Sequence, residues 1–536
     1  MQVDWRRPLI YTHRWLGIAG GVVFVTWFAS GIVMMYARMP EITIEERLAR
    51  LAPIDLSSAR VSIAAAARDA AACGEGGQAC DRLRISMLGD RPVYRVQSRG
   101  ESTTIFADTG EPFRGLTQDQ AIDLAQRFAP EHGSTLRYGA LMTDPDQWTL
   151  SGEARRAMPL HRLALGDPQD TNIYISDKTG DVVMKTTGSS RRWAYAGAVL
   201  HWLYFTPLRR HGPLWTQVII WSSLTGCVMC LTGLVWGVFR YSPSARYRLK
   251  REQSHTPYAG LMRWHHYAGL IVGLASFTWI FSGLLSMDPI PSIPGTAPTR
   301  QQRDAVTGGP LRLESMTIDR VRAELGGPES AALRSDAIDV ARPFQGREAA
   351  KEIDIAQFRG EPFLVTHDAP VRFDRDTMLA AARAAMPDAD VVDAAWLEEY
   401  DAYYYDRDVH HRALSLPVLR VRYADPQRTW LYLDPRRGAI VHKEERLTRV
   451  NRWLYHGLHS LDFPFLYYRR PLWDLVVITL SIGGIVLSAS TLVPAVHRLR
   501  RHLRRIQGGR YAFRTDDRAG NRAVGRPRRR GLGGIM

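Results

Sequence analysis

One stretch of this chain, a histidine region followed by about 20 residues apolar apart from Thr and Ser, occurs twice and limits the fold more than any other feature. Residues 13–35 read HRWLGIAGGVVFVTWFASGIVMM, and residues 265–287 read HHYAGLIVGLASFTWIFSGLLSM. A constant shift of 252 aligns His13 with His265, Gly17 with Gly269 and Gly21 with Gly273. The same shift aligns Thr26 and Trp27 with Thr278 and Trp279, Ser30 and Gly31 with Ser282 and Gly283, and Met35 with Met287. At ~1.5 Å per residue each stretch spans the ~30 Å hydrocarbon core of a bilayer. Each copy is expected to be a membrane helix with a histidine at its entry, and the chain an internal duplication.

The duplication reaches further. Asp167, Pro168 and Gln169 match Asp425, Pro426 and Gln427 at a shift of 258. Leu200 and His201 match Leu458 and His459, and Pro213 to Trp215 match Pro471 to Trp473, at that same shift. Two more apolar runs, 214–239 and 472–496, complete a set of four. The chain then divides into a first membrane helix (1–39), an outer segment (40–190), an interfacial segment with the second helix (191–242) and a basic loop (243–262). A third helix (263–288), a second outer segment (289–450), an interfacial segment with the fourth helix (451–497) and a basic tail (498–536) follow. The expected fold is an integral membrane, α-helical protein with four transmembrane helices in two pseudo-symmetric pairs, plus two α+β domains. The axis relating the pairs is expected to run along the membrane normal. Strand-like runs at 93–97 and 172–176, a helical pattern at 117–128 and Asp/Gly turns at 108–110 and 177–180 give the outer segments their α+β character.

Charge sets the orientation. The net charge is +16, and residues 498–536 hold thirteen Arg against Asp516 and Asp517. That is a surplus of 11 (13 − 2), so only +5 is spread over the rest. This argues against a nucleic-acid partner and for a basic end at a membrane lipid face. Arg6 and Arg7, the 243–262 loop and the tail fall on one side of a four-span bundle. The positive-inside rule makes that side cytoplasmic, with both termini, and puts the large segments outside. The mean hydropathy of −0.21 fits a chain lying mostly outside the bilayer. The apolar run after Arg7 is too long for a cleaved signal peptide and reads as an anchor. Cys73 and Cys80 are in position to form a disulfide if their segment is periplasmic. Cys227 and Cys230 read as small residues on a membrane helix, and the absence of CxxCH argues against covalently attached haem.

Four histidines fall at matched positions of the repeat. Coordinating side chains at membrane level are costly and usually functional. A two-fold axis would bring His13 to His265 and His201 to His459. Two facing imidazoles suit a six-coordinate haem iron, so two haem b groups are expected, an inner one on His13 and His265 and an outer one on His201 and His459. His266 and His456 are neighbouring alternates. Trp15, Trp27, Trp202, Trp279 and Tyr267 either line porphyrin or form an interfacial belt. Arg14 and Arg263 either pair with propionates or are ordinary juxtamembrane charges. Ser30, Gly31 and their copies read as close helix packing. Zinc at His410 and His411, or at His456 and His459, lacks accompanying Cys or carboxylate ligands at fixed spacing. No Walker A, GxGxxG or GxSxG context marks a catalytic residue.

The motifs HRWLG (13–17), LHWLYF (200–205), HHYAGL (265–270), LHSLDF (458–463) and DKTGDVV (177–183) together resemble the PepSY-associated transmembrane helix family. Asp434 to Gly438 keeps a DPxxG turn of that family, where the first half has Ser176 and Asp177. The resemblance covers nearly the whole chain except the tail. It implies a relative of iron-regulated inner-membrane proteins and of siderophore reductases of the ferrioxamine reductase type. These have four membrane helices, periplasmic PepSY-like domains and two b-type haems on histidines, here His13, His265, His201 and His459. The implied activity is reduction of a periplasmic ferric siderophore or related ferric chelate, with electrons from a cytoplasmic donor. A cleft between the outer domains, with Tyr403, Tyr404 and Tyr405, is a candidate chelate site, although these tyrosines also suit a strand. Two rivals are a non-enzymatic PepSY membrane protein that binds a periplasmic partner and an electron carrier to a separate reductase.

Overall fold

A computed structural model of the chain describes residues 5–72, 80–98, 101–150, 152–249, 252–288, 293–325, 350–405 and 414–520. Four helices are long and apolar enough to cross a membrane: Arg6–Met34, Gly212–Arg240, Leu261–Leu285 and Leu472–Arg504. At 25 to 33 residues each exceeds the ~20 needed to span. The fourth departs from the sequence expectation, because its helical backbone continues to Gly520, past Pro494 and into the arginine run. Arginine and leucine are good helix formers, and nothing between 495 and 507 breaks the pattern.

The chain packs as two units. The first consists of residues 1–29, 222–280 and 478–536. Small residues let its helices approach closely. A Cβ on Gly226 would meet Phe24 and Ile280 at about 3.0 Å, and one on Gly484 would stand 2.7 Å from the Phe28 ring. A short hairpin, Tyr247–Leu249 with Glu252–Ser254, lies between the second and third long helices.

The second unit, residues 30–221 and 281–477, holds three antiparallel sheets. Two of them are built alike. Helix Gln118–Phe128 precedes a four-stranded sheet of Arg137–Met142, Leu160–Ala164, Asn172–Ser176 and Val182–Thr186 in chain order. Helix Arg375–Ala385 precedes one of Val391–Leu397, Val418–Tyr423, Trp430–Asp434 and Ala439–Glu444. The first helix starts where the sequence pattern expects it. Thr117 and Gln120 satisfy each other's backbone donors in a capping box. Matched turns and tyrosines follow. Thr171 N–H donates to Asp167, and Thr429 N–H to Asp425, both at 2.7 Å. The buried Tyr174 and Tyr432 hydroxyls donate to Asp146 and Asp401, both at 3.0 Å.

The third sheet has five strands and draws on both halves of the chain. Its order is Glu361–Val365, Glu352–Phe358, Arg82–Leu88, Arg91–Ser98, Glu101–Phe106. Ile85 stands opposite Ile353 where the halves join, and both are fully buried. Periodicity alone gives two separate outer segments and does not show this pairing. Charge reinforces the seam. Asp354 pairs with Arg82 at 2.6 Å, Arg84 at 3.0 Å and Arg437 at 3.3 Å, while Glu352 pairs with Arg84 and Arg47. Burial works to raise the Asp354 carboxyl, but Arg84 and Arg82 outweigh it and hold the group well below the usual carboxylate range.

Two local expectations also meet the structure here. Cys80 is buried, its thiol donates to the Arg82 carbonyl at 3.2 Å, and burial pushes its pKa up to about 11. Cys73 lies outside the described residues, and with it the question of a disulfide. Tyr403 and Tyr404 lie in a bend and Tyr405 follows it, none of them in a strand. Tyr404 donates to the Ser415 carbonyl at 3.0 Å and Tyr405 to Asp462 at 2.7 Å, so both are packed structural groups.

Candidate functional site

The repeat-matched histidines meet in pairs. In the first unit the His13 and His265 rings lie 6.1 Å apart between centroids, tilted by 38°. In the second unit the His201 and His459 rings lie 6.2 Å apart, tilted by 70°. An axial nitrogen sits about 2 Å from its metal and about 1.1 Å from the centre of its own ring, so two imidazoles on opposite faces of one iron have centres roughly 6.2 Å apart. Both pairs match that separation.

The backbone fixes the tautomers of the first pair. His13 Nδ1 lies 2.9 Å from the Met229 carbonyl, and His265 Nδ1 lies 3.1 Å from the Leu487 carbonyl and 3.2 Å from Ser490 Oγ. A carbonyl only accepts, so each Nδ1 carries the proton and each Nε2 keeps its lone pair for a ligand. Gly233 makes room for the His13 ring, since a Cβ there would stand 2.4 Å from Cε1.

The second pair is held differently. His201 and His459 sit on three-residue helices, Leu200–Trp202 and Leu458–Ser460, and not on the long helices that follow them. A π-helical turn precedes each, Tyr195–Val199 and Arg452–Gly457, and a left-handed leucine, Leu203 or Leu461, ends each. Trp215 Nε1 donates to the Trp202 carbonyl at 2.8 Å, and Trp473 Nε1 to the Ser460 carbonyl at 2.9 Å. His201 Nδ1 lies 3.2 Å from Ser30 Oγ, and His459 Nδ1 lies 3.1 Å from Ser282 Oγ. Ser30 and Ser282 are the serines read from sequence as mere helix packing. They are also the partners that orient these rings. Gly31 and Gly283 leave space for them, with Cε1 of His201 and His459 at 3.4 and 3.5 Å from an added Cβ.

The alternates are placed differently. His266 uses both nitrogens, Nδ1 to Thr256 Oγ1 at 2.7 Å and Nε2 to the Gly237 carbonyl at 2.8 Å. His456 packs on Tyr455 at 4.3 Å, and the matching position of the first half, 258 residues earlier, is Ala198. Among the described residues no group of three or more His, Cys, Asp or Glu is assembled. Of the zinc candidates, His410 and His411 lie outside them.

A cavity of about 590 Å³ opens beside the first pair, within the range of cofactor pockets. His13 and His265 line it, as do Gly17, Gly21, Gly269 and Gly273, the glycines aligned by the repeat. Apolar walls lined by two histidines whose Nδ1 atoms are already engaged fit a flat, metal-centred, apolar group such as haem. Trp15, Trp27, Trp279 and Tyr267 do not line this cavity, but Trp236, Tyr258, Phe24 and Phe28 do. Arg14 lines it as one reading anticipated, whereas Arg263 instead lies over Tyr267 at 5.9 Å. Arg240 and Arg498 also line it and were missed. They stand 258 residues apart, the shift that also matches His201 with His459, so the repeat pairs them and proximity in space joins them to Arg14.

A scan against protein-family models finds no match, and no curated protein is similar enough to match.

Proposed function

We propose that the chain is a di-haem b inner-membrane oxidoreductase of the PepSY-associated type, which reduces a ferric siderophore or related ferric chelate on its periplasmic side. The carrying observation is that two repeat-matched histidine pairs each stand at the ring separation of a metal bridged by two imidazoles. His13 and His265 hold one haem, and His201 and His459 the other. Haem iron held by two histidines supplies reversible one-electron chemistry. The chain supplies the rest. The Met229 and Leu487 carbonyls and the Ser30 and Ser282 hydroxyls orient the four imidazoles. The apolar helices keep water from the first pair, and glycines at repeat-matched positions leave room for a flat ring. Two parallel helix pairs related by a pseudo-two-fold axis account for both pairings at once. With the basic helix ends in the cytoplasm, the three sheets lie in the periplasm, where the chelate is met. One electron converts the bound ferric ion to ferrous, which hard oxygen chelators hold far more weakly.

The test uses purified full-length protein reduced anaerobically with half a mole of dithionite per haem, one electron for each iron, so that no reductant is left over. A ferric trihydroxamate is then added with a ferrous-specific chromogenic trap. The proposal expects reoxidation of the protein, with one trapped ferrous ion per electron lost. A protein that binds haem but stays reduced beside the chelate would be an electron carrier to another reductase, and the reductase reading would fall.

A further inference from the structure

The cavity beside His13 and His265 is charged in one sense only. Of its lining residues three are arginines, Arg14, Arg240 and Arg498, and none is an Asp or Glu. Among the described residues no ion pair engages any of the three. Arg240 Nε is buried without a hydrogen-bond partner. Its guanidinium instead rests against Trp236 and Tyr247, each 5.6 Å away, and that of Arg14 lies over Tyr11 at 5.2 Å. Three like charges around one apolar cavity repel each other, and a buried guanidinium nitrogen without an acceptor is costly. Both costs are offset when a bound anion supplies the acceptors.

The cavity is also polarised along its length. On the first helix Arg14 lies ten and fourteen residues before Phe24 and Phe28, which line the same cavity. At ~1.5 Å per residue that is roughly 15–20 Å from a cationic end to an aromatic one. A ligand that fits is apolar over most of its area and carries its negative charge on one edge.

We propose that Arg14, Arg240 and Arg498 form a carboxylate clamp that selects a dianionic tetrapyrrole and sets which edge faces the cationic end of this cavity. The proposal rests on the haem reading above and deepens it. Arginine suits the task because its planar fork pairs with a carboxylate through two parallel hydrogen bonds. The three residues are positioning groups, and their effect is on affinity and on which porphyrin is accepted.

Full-length apo-protein in detergent, carrying His201→Ala to leave the first pair as the only site, is titrated with ferric protoporphyrin and with its dimethyl ester. Binding is read from the Soret band. The clamp expects the free acid to bind at least about tenfold more tightly than the ester. In the Arg14→Gln/Arg240→Gln/Arg498→Gln variant that preference falls to within about twofold, through loss of free-acid affinity alone. The three single variants each show part of the loss, which keeps the test decisive if the triple variant does not fold. An unchanged preference for the free acid in these variants overturns the clamp while leaving the haem reading intact. A parent protein that binds neither porphyrin removes the haem reading and the clamp with it.

Discussion

Replacing Gly233 with alanine should empty the His13/His265 site without unfolding the protein. A Cβ at this position would stand 2.4 Å from His13 Cε1 and 2.7 Å from Nδ1. Ordinary contact begins near 3.4 Å, so the imidazole must retreat by about 1 Å (3.4 − 2.4). Metal–ligand distances tolerate only about 0.2 Å, so a shift of this size removes the axial nitrogen. The retreat also breaks the 2.9 Å bond from Nδ1 to the Met229 carbonyl. That loss, with an off-rotamer ring, costs roughly 2 kcal/mol, which a folded membrane bundle survives. The assay is haem b per chain by pyridine haemochrome, with thermal unfolding alongside. One haem should remain, the one on His201 and His459. A Gly233→Ala protein that keeps two haems with unaltered spectra would refute the reasoning, because the His13 ring would then not occupy the space beside Gly233.

Three further outcomes are expected. Ser282→Ala removes the hydroxyl 3.1 Å from His459 Nδ1 and should weaken haem retention at the second pair about 10–100-fold, leaving the first pair unchanged; stepwise haem transfer to an acceptor protein measures both. His266→Ala should lower stability by about 1–3 kcal/mol, through its bonds to Thr256 and Gly237, and leave haem content at two, as unfolding and haemochrome assays would show. Asp354→Asn should cost about 3–5 kcal/mol in chemical denaturation, because Arg82, Arg84 and Arg437 lose a buried carboxylate. Since Asp354 and Glu352 titrate below their unfolded values, their contribution is full above about pH 4–5 and is lost as pH falls through the folded pKa values. A denaturation series from pH 7 to pH 3 should show stability falling at the acid end, less steeply in Asp354→Asn.

The histidine pairing was legible because duplication is written in sequence. The 252 and 258 shifts name the partners, and the rings of each named pair face each other with centroids 6.1 and 6.2 Å apart. The helix–sheet pattern was legible at Thr117 to Phe128 and Asn172 to Ser176, where capping and alternation are local signals. What escaped is non-local or shared between roles. Ser30 and Ser282 satisfy a small-residue packing pattern, which hides their bonds to His201 and His459. The strand pairing of Arg82–Leu88 with Glu352–Phe358 joins residues some 270 apart, beyond any periodicity. Arg240 and Arg498 are matched by the 258 shift, but they stand at arginine-rich helix ends that membrane orientation also explains, and Arg14, whose counterpart is His266, has no arginine mate to point to the same cavity. The fourth helix ran long because arginines end a hydrophobic pattern without ending a helix.

The claim that each histidine pair holds one haem b is tested most directly by counting haem b per chain in the purified parent and in His13→Ala, His265→Ala, His201→Ala and His459→Ala, all made in haem-replete cells. The account predicts two in the parent and one in every variant. His13→Ala and His265→Ala should share one surviving spectrum, and His201→Ala and His459→Ala the other. A colourless parent, or folded variants that keep both haems, would contradict it.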